Sequence, residues 1–116
     1  MKRKRTDSIK TGIYCRVSTE EQVQEGFSIR AQQEKLKDYL KVKCWELYDI
    51  YVDEGIYGKN IVDRPAINKL IDDINDGKVN NVLVFKVDRL TRNTKDLITL
   101  METFNENNCA FNSLMD

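Results

Sequence analysis

Residues 80–88 read NNVLVFKVD, a nearly continuous apolar run that contains three valines. A run of this kind predicts a strand that is covered on both faces, as in a parallel sheet whose crossover helices pack on either side. The fold class that this stretch indicates is α/β.

The rest of the chain supplies three further strand candidates. The segments TGIYCRV (11–17) and WELYDIYVD (45–53) have the aromatic and β-branched content of strands, and CAFNSLMD (109–116) begins a fourth. Together with residues 80–88 they predict a sheet of about four strands.

The clearest helix is predicted after the tripeptide DRP (63–65). Pro65 stands in its first turn and Gly77 follows its end, which is the usual placement of these two residues. Its apolar residues recur at the i, i+3, i+4, i+7 spacing of one helix face, and they are Ile67, Leu70, Ile71 and Ile74.

Two other helices are predicted with one apolar side each. The first is expected to begin at the N-cap Ser28, and its apolar side is made of Ile29, Leu36 and Leu40. The second is expected to be capped by Asn93 or Thr94. Its inner stripe is predicted to comprise Leu97, Ile98, Met101 and Phe104.

Strands and helices therefore alternate along the chain. This order predicts an α/β fold with a doubly wound, mainly parallel sheet of about four strands and helices on both faces. We interpret residues 1–10 as a basic, flexible N-terminal arm and residues 11–116 as one domain. Because no helix follows the fourth strand, we expect this domain to be truncated.

Composition excludes several classes of protein. The chain is 41% hydrophobic and 33% charged, which is typical of globular domains. No apolar run approaches the ~20 residues of a membrane span, and the basic start lacks a signal-peptide core, so the sequence predicts a cytoplasmic protein without a membrane partner. Cys15, Cys44 and Cys109 are widely separated, which favours reduced thiols over disulfides or a zinc site.

The charge is unevenly distributed. Residues 2–5 carry four of the 19 positive charges, which leaves 15 against 19 acidic residues from position 6 onward, a net charge of −4. A domain that binds DNA on its own is normally basic. The sequence therefore indicates either that DNA is not the partner or that most of the affinity for DNA lies elsewhere.

Chemically active side chains are predicted to gather at one edge of the sheet. In open parallel sheets, ligands bind beyond the carboxyl ends of the strands. Four of the five arginines outside the basic arm fall at this edge, and a guanidinium presents a planar fork of donors that matches phosphate oxygens. The residues expected there are Arg16, Ser18, Asp53, Asp63, Arg64, Asp88, Arg89 and Arg92.

A structural role for these residues is the alternative. Arg16 could simply pair with Asp53 or Asp88, and a serine at a strand end commonly caps a turn. We favour a phosphoryl-group site because so many arginines are expected around one hydroxyl.

The sequence also excludes several mechanisms. There is no histidine, which rules out a Ser-His-Asp triad. Asp53, Asp63 and Asp88 could in principle hold Mg²⁺, but neighbouring guanidinium groups oppose a cation. We therefore expect neither a metal nor a cofactor.

The motifs YCRVSTEEQ, GFSIRAQQEKL, YVDEG, DRPAI and VFKVDRLTRN together resemble the catalytic domain of the serine recombinases, the resolvase/invertase family. The resemblance extends from about Gly12 to the end of the chain. The length of the loop between Ser18 and Gln32 resembles that of the large serine recombinases, which include phage integrases and transposases of mobile elements. In that group a C-terminal DNA-binding region follows, and it is absent from these residues.

The resemblance implies a specific activity, site-specific DNA recombination. Ser18 would attack the scissile phosphate and form a 5′-phosphoserine bond to DNA, followed by strand exchange and religation without ATP or metal. Arg16, Arg64, Arg89 and Arg92 would bind the phosphate, with Asp88 as the first candidate for the base. Gln32 and Asp53 match supporting, substrate-binding positions, although the residue pattern alone marks Gln32 as a helix-surface residue.

The partners that the resemblance implies are DNA and further copies of the chain. Two recombination sites would be held by a homodimer and then a synaptic homotetramer of the full-length protein. Two other functions stay open, a metal-free DNA nuclease or phosphodiesterase and a non-catalytic phosphate-binding α/β module.

Overall fold

The structure, a computed structural model of the 116-residue chain, describes residues 9–17, 29–54, 64–91 and 93–115. Most of the predicted basic arm and the predicted N-cap Ser28 lie outside the described residues. In chain order the elements are β1 (Lys10–Val17), α1 (Ile29–Lys43), β2 (Glu46–Glu54), α2 (Pro65–Asn75), β3 (Asn81–Val84), α3 (Val87–Leu90), α4 (Thr94–Glu106) and β4 (Ala110–Ser113).

The four strands form one parallel sheet in the order β2-β1-β3-β4. In this register Arg16 of β1 lies opposite Asp53 of β2, and Tyr14 lies between Tyr51 of β2 and Val84 of β3. The chain adds β2 on one side of β1 and β3 on the other, so the switch point of the topology lies between β1 and β3. The predicted fold class, a parallel four-stranded α/β sheet, is confirmed.

Helices cover both faces of the sheet. Tyr14 and Tyr51 point to the face where α2, α3 and α4 pack, in a cluster that includes Ile67 and Leu70 of α2 and Phe104 of α4. The alternate residues of β1 point the other way. Ile13 and Cys15 pack with Leu36 and Leu40 of α1. This alternation follows from the two-residue period of a strand, and it places Arg16 on the same face as Tyr14.

Local chemistry explains how α4 begins. Asn93 has an extended backbone, and its side-chain oxygen accepts hydrogen bonds from the backbone N–H groups of Lys95 and Asp96, at 2.9 and 3.2 Å. Asn93, one of the two predicted caps, is thus the N-cap. None of the helices in the described ranges combines the length and the apolar character needed to cross a membrane.

Two predictions from the sequence were wrong, one about the length of β3 and one about the buried face of α4. The strand predicted over residues 80–88 ends at Val84, and a single helical turn, α3, follows it and carries the fully buried Leu90 into the core. In α4, Ile98 is 55% exposed, whereas Leu100 is buried. Successive helical residues are separated by about 100°, so Ile98 lies off the face that Leu97, Leu100 and Phe104 share.

Candidate active site

The start of α2 is completed by a side chain from β2. Arg64, the N-cap residue of α2, makes no side-chain cap of its own. Instead, the Asp53 carboxylate accepts hydrogen bonds from the backbone N–H groups of Ala66 and Ile67, at 2.9 and 3.1 Å. These two N–H groups have no partner inside the helix, and a negative charge is favourable at a helix N-terminus. Asp53 therefore fixes the entry to α2 against the end of β2.

A buried tyrosine connects this cap to the arginines. The Tyr14 hydroxyl donates a 2.7 Å hydrogen bond to Asp53 and accepts a longer one, of 3.4 Å, from Nη1 of Arg64. Burial raises the pKa of Tyr14 well above its usual value, and the hydrogen bond to Asp53 raises it further. The hydroxyl consequently keeps its proton and acts as the donor to Asp53.

Two buried guanidinium groups bind the backbone of α3. Nη2 of Arg16 donates to the carbonyl oxygen of Asp88, and Nη1 of Arg64 donates to that of Leu90, both at 2.6 Å. Arg16 is 4% exposed and Arg64 is 1% exposed. The turn that follows β3 is thus held by side chains from β1 and from the start of α2.

The α3 turn itself contributes a third buried arginine. Nη1 of Arg89 lies 3.4 Å from a carboxylate oxygen of Asp88, and the two side chains are 2% and 47% exposed, respectively. Of the two described carboxylates of the cluster, Asp53 and Asp88, Asp88 is therefore the accessible one. Its own backbone carbonyl is occupied by Arg16, which fixes the position of the residue.

The structure brings five of the eight predicted site residues to the carboxyl edge of the sheet: Arg16, Asp53, Arg64, Asp88 and Arg89. Gln32 lies in the first turn of α1, four residues before Leu36, which packs on the face of the sheet opposite Tyr14. It is buried, so its interpretation as a helix-surface residue from the pattern alone was wrong. Ser18, Asp63 and Arg92, the other three of the eight residues expected at the edge, lie outside the described residues.

Tyr14 is the site residue that the sequence reasoning missed. A signal for it was available, because Tyr14 and Arg16 are two apart in a strand and must share a face. A tyrosine in a buried strand also needs a hydrogen-bond partner for its hydroxyl. The absence of a capping side chain at Arg64 was a similar signal for the role of Asp53.

Such an arrangement is suited to an anion. Three guanidinium groups concentrate positive charge at one buried edge, where the attraction between charges is stronger than in water. In the described part of the chain, no three acidic, thiol or imidazole groups converge as a metal site would require. The chemistry that these residues can perform is the binding and polarisation of a phosphate.

Comparison with known proteins identifies the family. Residues 11–116 match the family model described as "Resolvase, N terminal domain". A Bacillus phage phi105 protein named "Uncharacterized immunity region protein 3" is 50% identical over 57% of this chain and 79% of its own length. A putative DNA recombinase of Bacillus subtilis (strain 168) is 35% identical over 83% of this chain, but only 18% of its own length is matched.

Solved structures agree with this assignment. The crystal structure of the N-terminal catalytic domain of TP901-1 integrase superposes with a TM-score of 0.79 and 40% identity, over 90% of this chain and 76% of that one. Structures of serine recombinases share the fold as well. The chain belongs to the resolvase family, the serine recombinases, and its fold is that of their catalytic domain. It spans less than half the length of the curated resolvases and recombinases that it matches.

Proposed function

We propose that this chain is the catalytic domain of a site-specific DNA recombinase in which the Ser18 hydroxyl attacks the scissile phosphate of DNA. One observation supports the proposal above the others. Arg16 and Arg64 both bind the backbone of α3, the turn that carries Arg89, and Ser18 follows Arg16 by two residues.

In the cleavage step, Oγ of Ser18 forms a bond to phosphorus while the bond between phosphorus and the 3′ oxygen breaks. Ser18 loses its proton and the departing 3′ oxygen gains one. The products are therefore a 5′-phosphoserine ester and a free 3′ hydroxyl. Asp88 is the first candidate for accepting the serine proton, because its carboxylate is half-exposed beside the arginines.

Electrostatic stabilisation replaces a histidine base in this mechanism. Attack on the phosphodiester increases the negative charge on its non-bridging oxygens. The guanidinium groups of Arg16, Arg64, Arg89 and Arg92 offset that charge without a metal ion. One preorganised group of this kind typically contributes about 10²–10³ in rate.

The serine ester makes rejoining possible without ATP. It retains the energy of the broken phosphodiester, and the 3′ hydroxyl of another strand can attack it. That second displacement releases Ser18 and restores a phosphodiester. Exchange between two duplexes follows if the 3′ hydroxyl comes from the other duplex.

DNA, with its two recombination sites, and further copies of the chain are the proposed partners. Recombination of two duplexes requires four breaks, so four protomers assemble as a synaptic tetramer formed from two dimers. Residues 6–116 carry a net charge of −4. We therefore expect these residues alone to bind DNA weakly and other basic segments to supply most of the affinity.

Substitution of the nucleophile tests the proposal. The natural full-length protein is incubated with a recombination-site duplex that is nicked near the scissile phosphate, so that the cleaved state is trapped. We expect the wild-type protein and the control variant Ser8→Ala to form a covalent adduct, with 5′-phosphoserine recovered after digestion. Ser18→Ala should bind DNA normally and form no adduct.

The same experiment separates the competing functions. A nuclease would cut the duplex without leaving protein on the DNA. A phosphate-binding module would neither cut nor form an adduct, and Ser18→Ala would behave as the wild type in every assay. An adduct formed by Ser18→Ala would rule out Ser18 as the nucleophile.

A further inference from the structure

The α3 turn depends on other elements for its hydrogen bonds. A helix of four residues leaves most of its carbonyl groups without an internal partner. Within α3, the backbone N–H of Thr91 donates to the Val87 carbonyl, at 3.2 Å. The carbonyls of Asp88 and Leu90 are bound by Arg16 and Arg64 instead.

Arg64 is the more deeply buried of these two arginines. Its guanidinium is 1% exposed and donates through Nη1 to the Leu90 carbonyl and to the Tyr14 hydroxyl. Its backbone is held too, since the Asn68 side chain donates to the Arg64 carbonyl at 2.8 Å. The side chain thus bridges β1, the start of α2 and the end of α3.

We infer that Arg64 is a positioning residue, which acts through the backbone of α3 rather than by touching the scissile phosphate. This inference rests on the proposed function. The Leu90 carbonyl that Arg64 holds belongs to the residue after Arg89 and precedes Arg92 by two positions. Arg64 therefore sets the height and tilt of the turn that presents Arg89, while its charge acts on the phosphate only from a distance.

A neutral substrate distinguishes contact from positioning. Replacing a non-bridging oxygen of the scissile phosphate with a methyl group gives a methylphosphonate, which carries no charge. An arginine that neutralises that oxygen becomes dispensable on this substrate. A positioning arginine stays necessary, since the geometry of the turn matters for both substrates.

The test compares Arg64→Met with the control Arg89→Met in the full-length protein. For each variant, the single-turnover cleavage rate relative to wild type is measured on the phosphodiester and on the methylphosphonate. We expect the cleavage rate of Arg64→Met to be about 100-fold below that of wild type on both substrates. A small misplacement of a catalytic group produces an effect of this size. For Arg89→Met, the cleavage rate relative to wild type should be at least about tenfold higher on the methylphosphonate than on the phosphodiester. The reason is that a contact with the charged oxygen is not needed on the neutral substrate.

If the relative cleavage rate of Arg64→Met also rises on the methylphosphonate, the inference is overturned, because that result would mean that Arg64 contacts the phosphate directly. If the wild-type protein forms no Ser18 adduct on either substrate, the proposed function has failed instead. Those two failures are distinguishable because only the second involves the wild-type protein.

Amide hydrogen exchange in the DNA-free protein is a second test of the inference. It depends neither on cleavage activity nor on the behaviour of the control variant Arg89→Met. Loss of the Arg64 hydrogen bond should raise the exchange rate of the Thr91 amide by about tenfold while the Val84 amide of β3 stays unchanged. Arg64→Lys, which keeps one donor, should restore part of that protection and serves if Arg64→Met does not fold. Unchanged exchange at Thr91 in both variants would overturn the inference.

Discussion

Tyr14 and Asp53 form a buried hydrogen bond of 2.7 Å that joins the central strand of the sheet to the residue capping α2. Among the described residues, the Asp53 carboxylate accepts two hydrogen bonds from the backbone of α2 and one from this phenol. Asp53 is 2% exposed, so water does not readily replace a lost donor. Stability as well as site geometry depends on this contact.

The first prediction concerns that contact. Tyr14→Phe removes the hydroxyl without changing the shape of the side chain, and it leaves Asp53 and Arg64 each short of one partner. We expect the free energy of unfolding to fall by about 1–3 kcal/mol, measured by urea denaturation. Tyr48→Phe, at an exposed tyrosine, is the control and should change little. Equal stability of the two variants would contradict the structural role of Tyr14.

A second prediction concerns the geometry of Arg16. Arg16→Lys keeps the charge but loses the planar fork that can bind the Asp88 carbonyl and a phosphate together. We expect the cleavage rate of the full-length protein to drop by about 100-fold or more, with DNA binding largely retained. The control is Arg30→Lys, at an exposed position of α1. Near-normal cleavage by Arg16→Lys would show that charge alone suffices.

Stability should depend on pH through Asp73. Burial raises the pKa of this carboxyl, but hydrogen bonds from Tyr51 and Lys69 lower it more, so the net pKa lies below its usual value. A folded-state pKa below the unfolded value means that the carboxylate stabilises the fold. That stabilisation is complete above about pH 4 and is lost as the pH falls through the folded-state pKa.

Asp73→Asn tests this dependence. The variant should be less stable than wild type at pH 6, and the difference between the two should narrow toward pH 3. Urea denaturation at both pH values measures it, and Asp72→Asn, at the exposed neighbouring residue, is the control. A difference that is constant with pH would contradict the role of the Asp73 charge.

The three thiols should differ in reactivity. Cys44 is exposed, whereas Cys15 and Cys109 are buried, and burial raises the pKa of each of these two to about 12. Because the thiolate is the reactive form, a disulfide reagent at pH 8 should modify one thiol rapidly in the native protein and the other two only after unfolding. Cys44→Ala should abolish the rapid phase. A rapid phase that survives in this variant would contradict the burial of the other two.

Much of the fold could be predicted because its signals are local. The continuous apolar run at 82–85 predicts a buried strand, and the spacing of Ile67, Leu70 and Ile74 predicts one buried face of a helix. All of these residues are buried in the structure. The α3 turn carries no such signal. Two of its carbonyls, those of Asp88 and Leu90, are bound by Arg16 and Arg64, and the first of these contacts joins residues 72 positions apart in the chain.

The sequence was sufficient to predict where the candidate site residues lie, but not which atoms they bind. The ends of parallel strands meet at one edge, which is enough to bring Arg16, Asp53 and Arg89 near one another. A phosphate was the favoured partner of Arg16 and an ion pair with Asp53 or Asp88 was the alternative, and the structure adds a hydrogen bond from Arg16 to the backbone carbonyl of Asp88. No residue pattern points to that acceptor, because every residue has a carbonyl.

The strand order β2-β1-β3-β4 has a consequence for the newly made protein. Arg16 lies near the end of β1, whereas the α3 turn that it binds follows β3, so that α1, β2 and α2 lie between the two in the chain. Until β3 has docked beside β1, the positive charges are scattered along an open polypeptide. The buried cluster of guanidinium groups therefore forms late in folding, once β1 and β3 lie side by side.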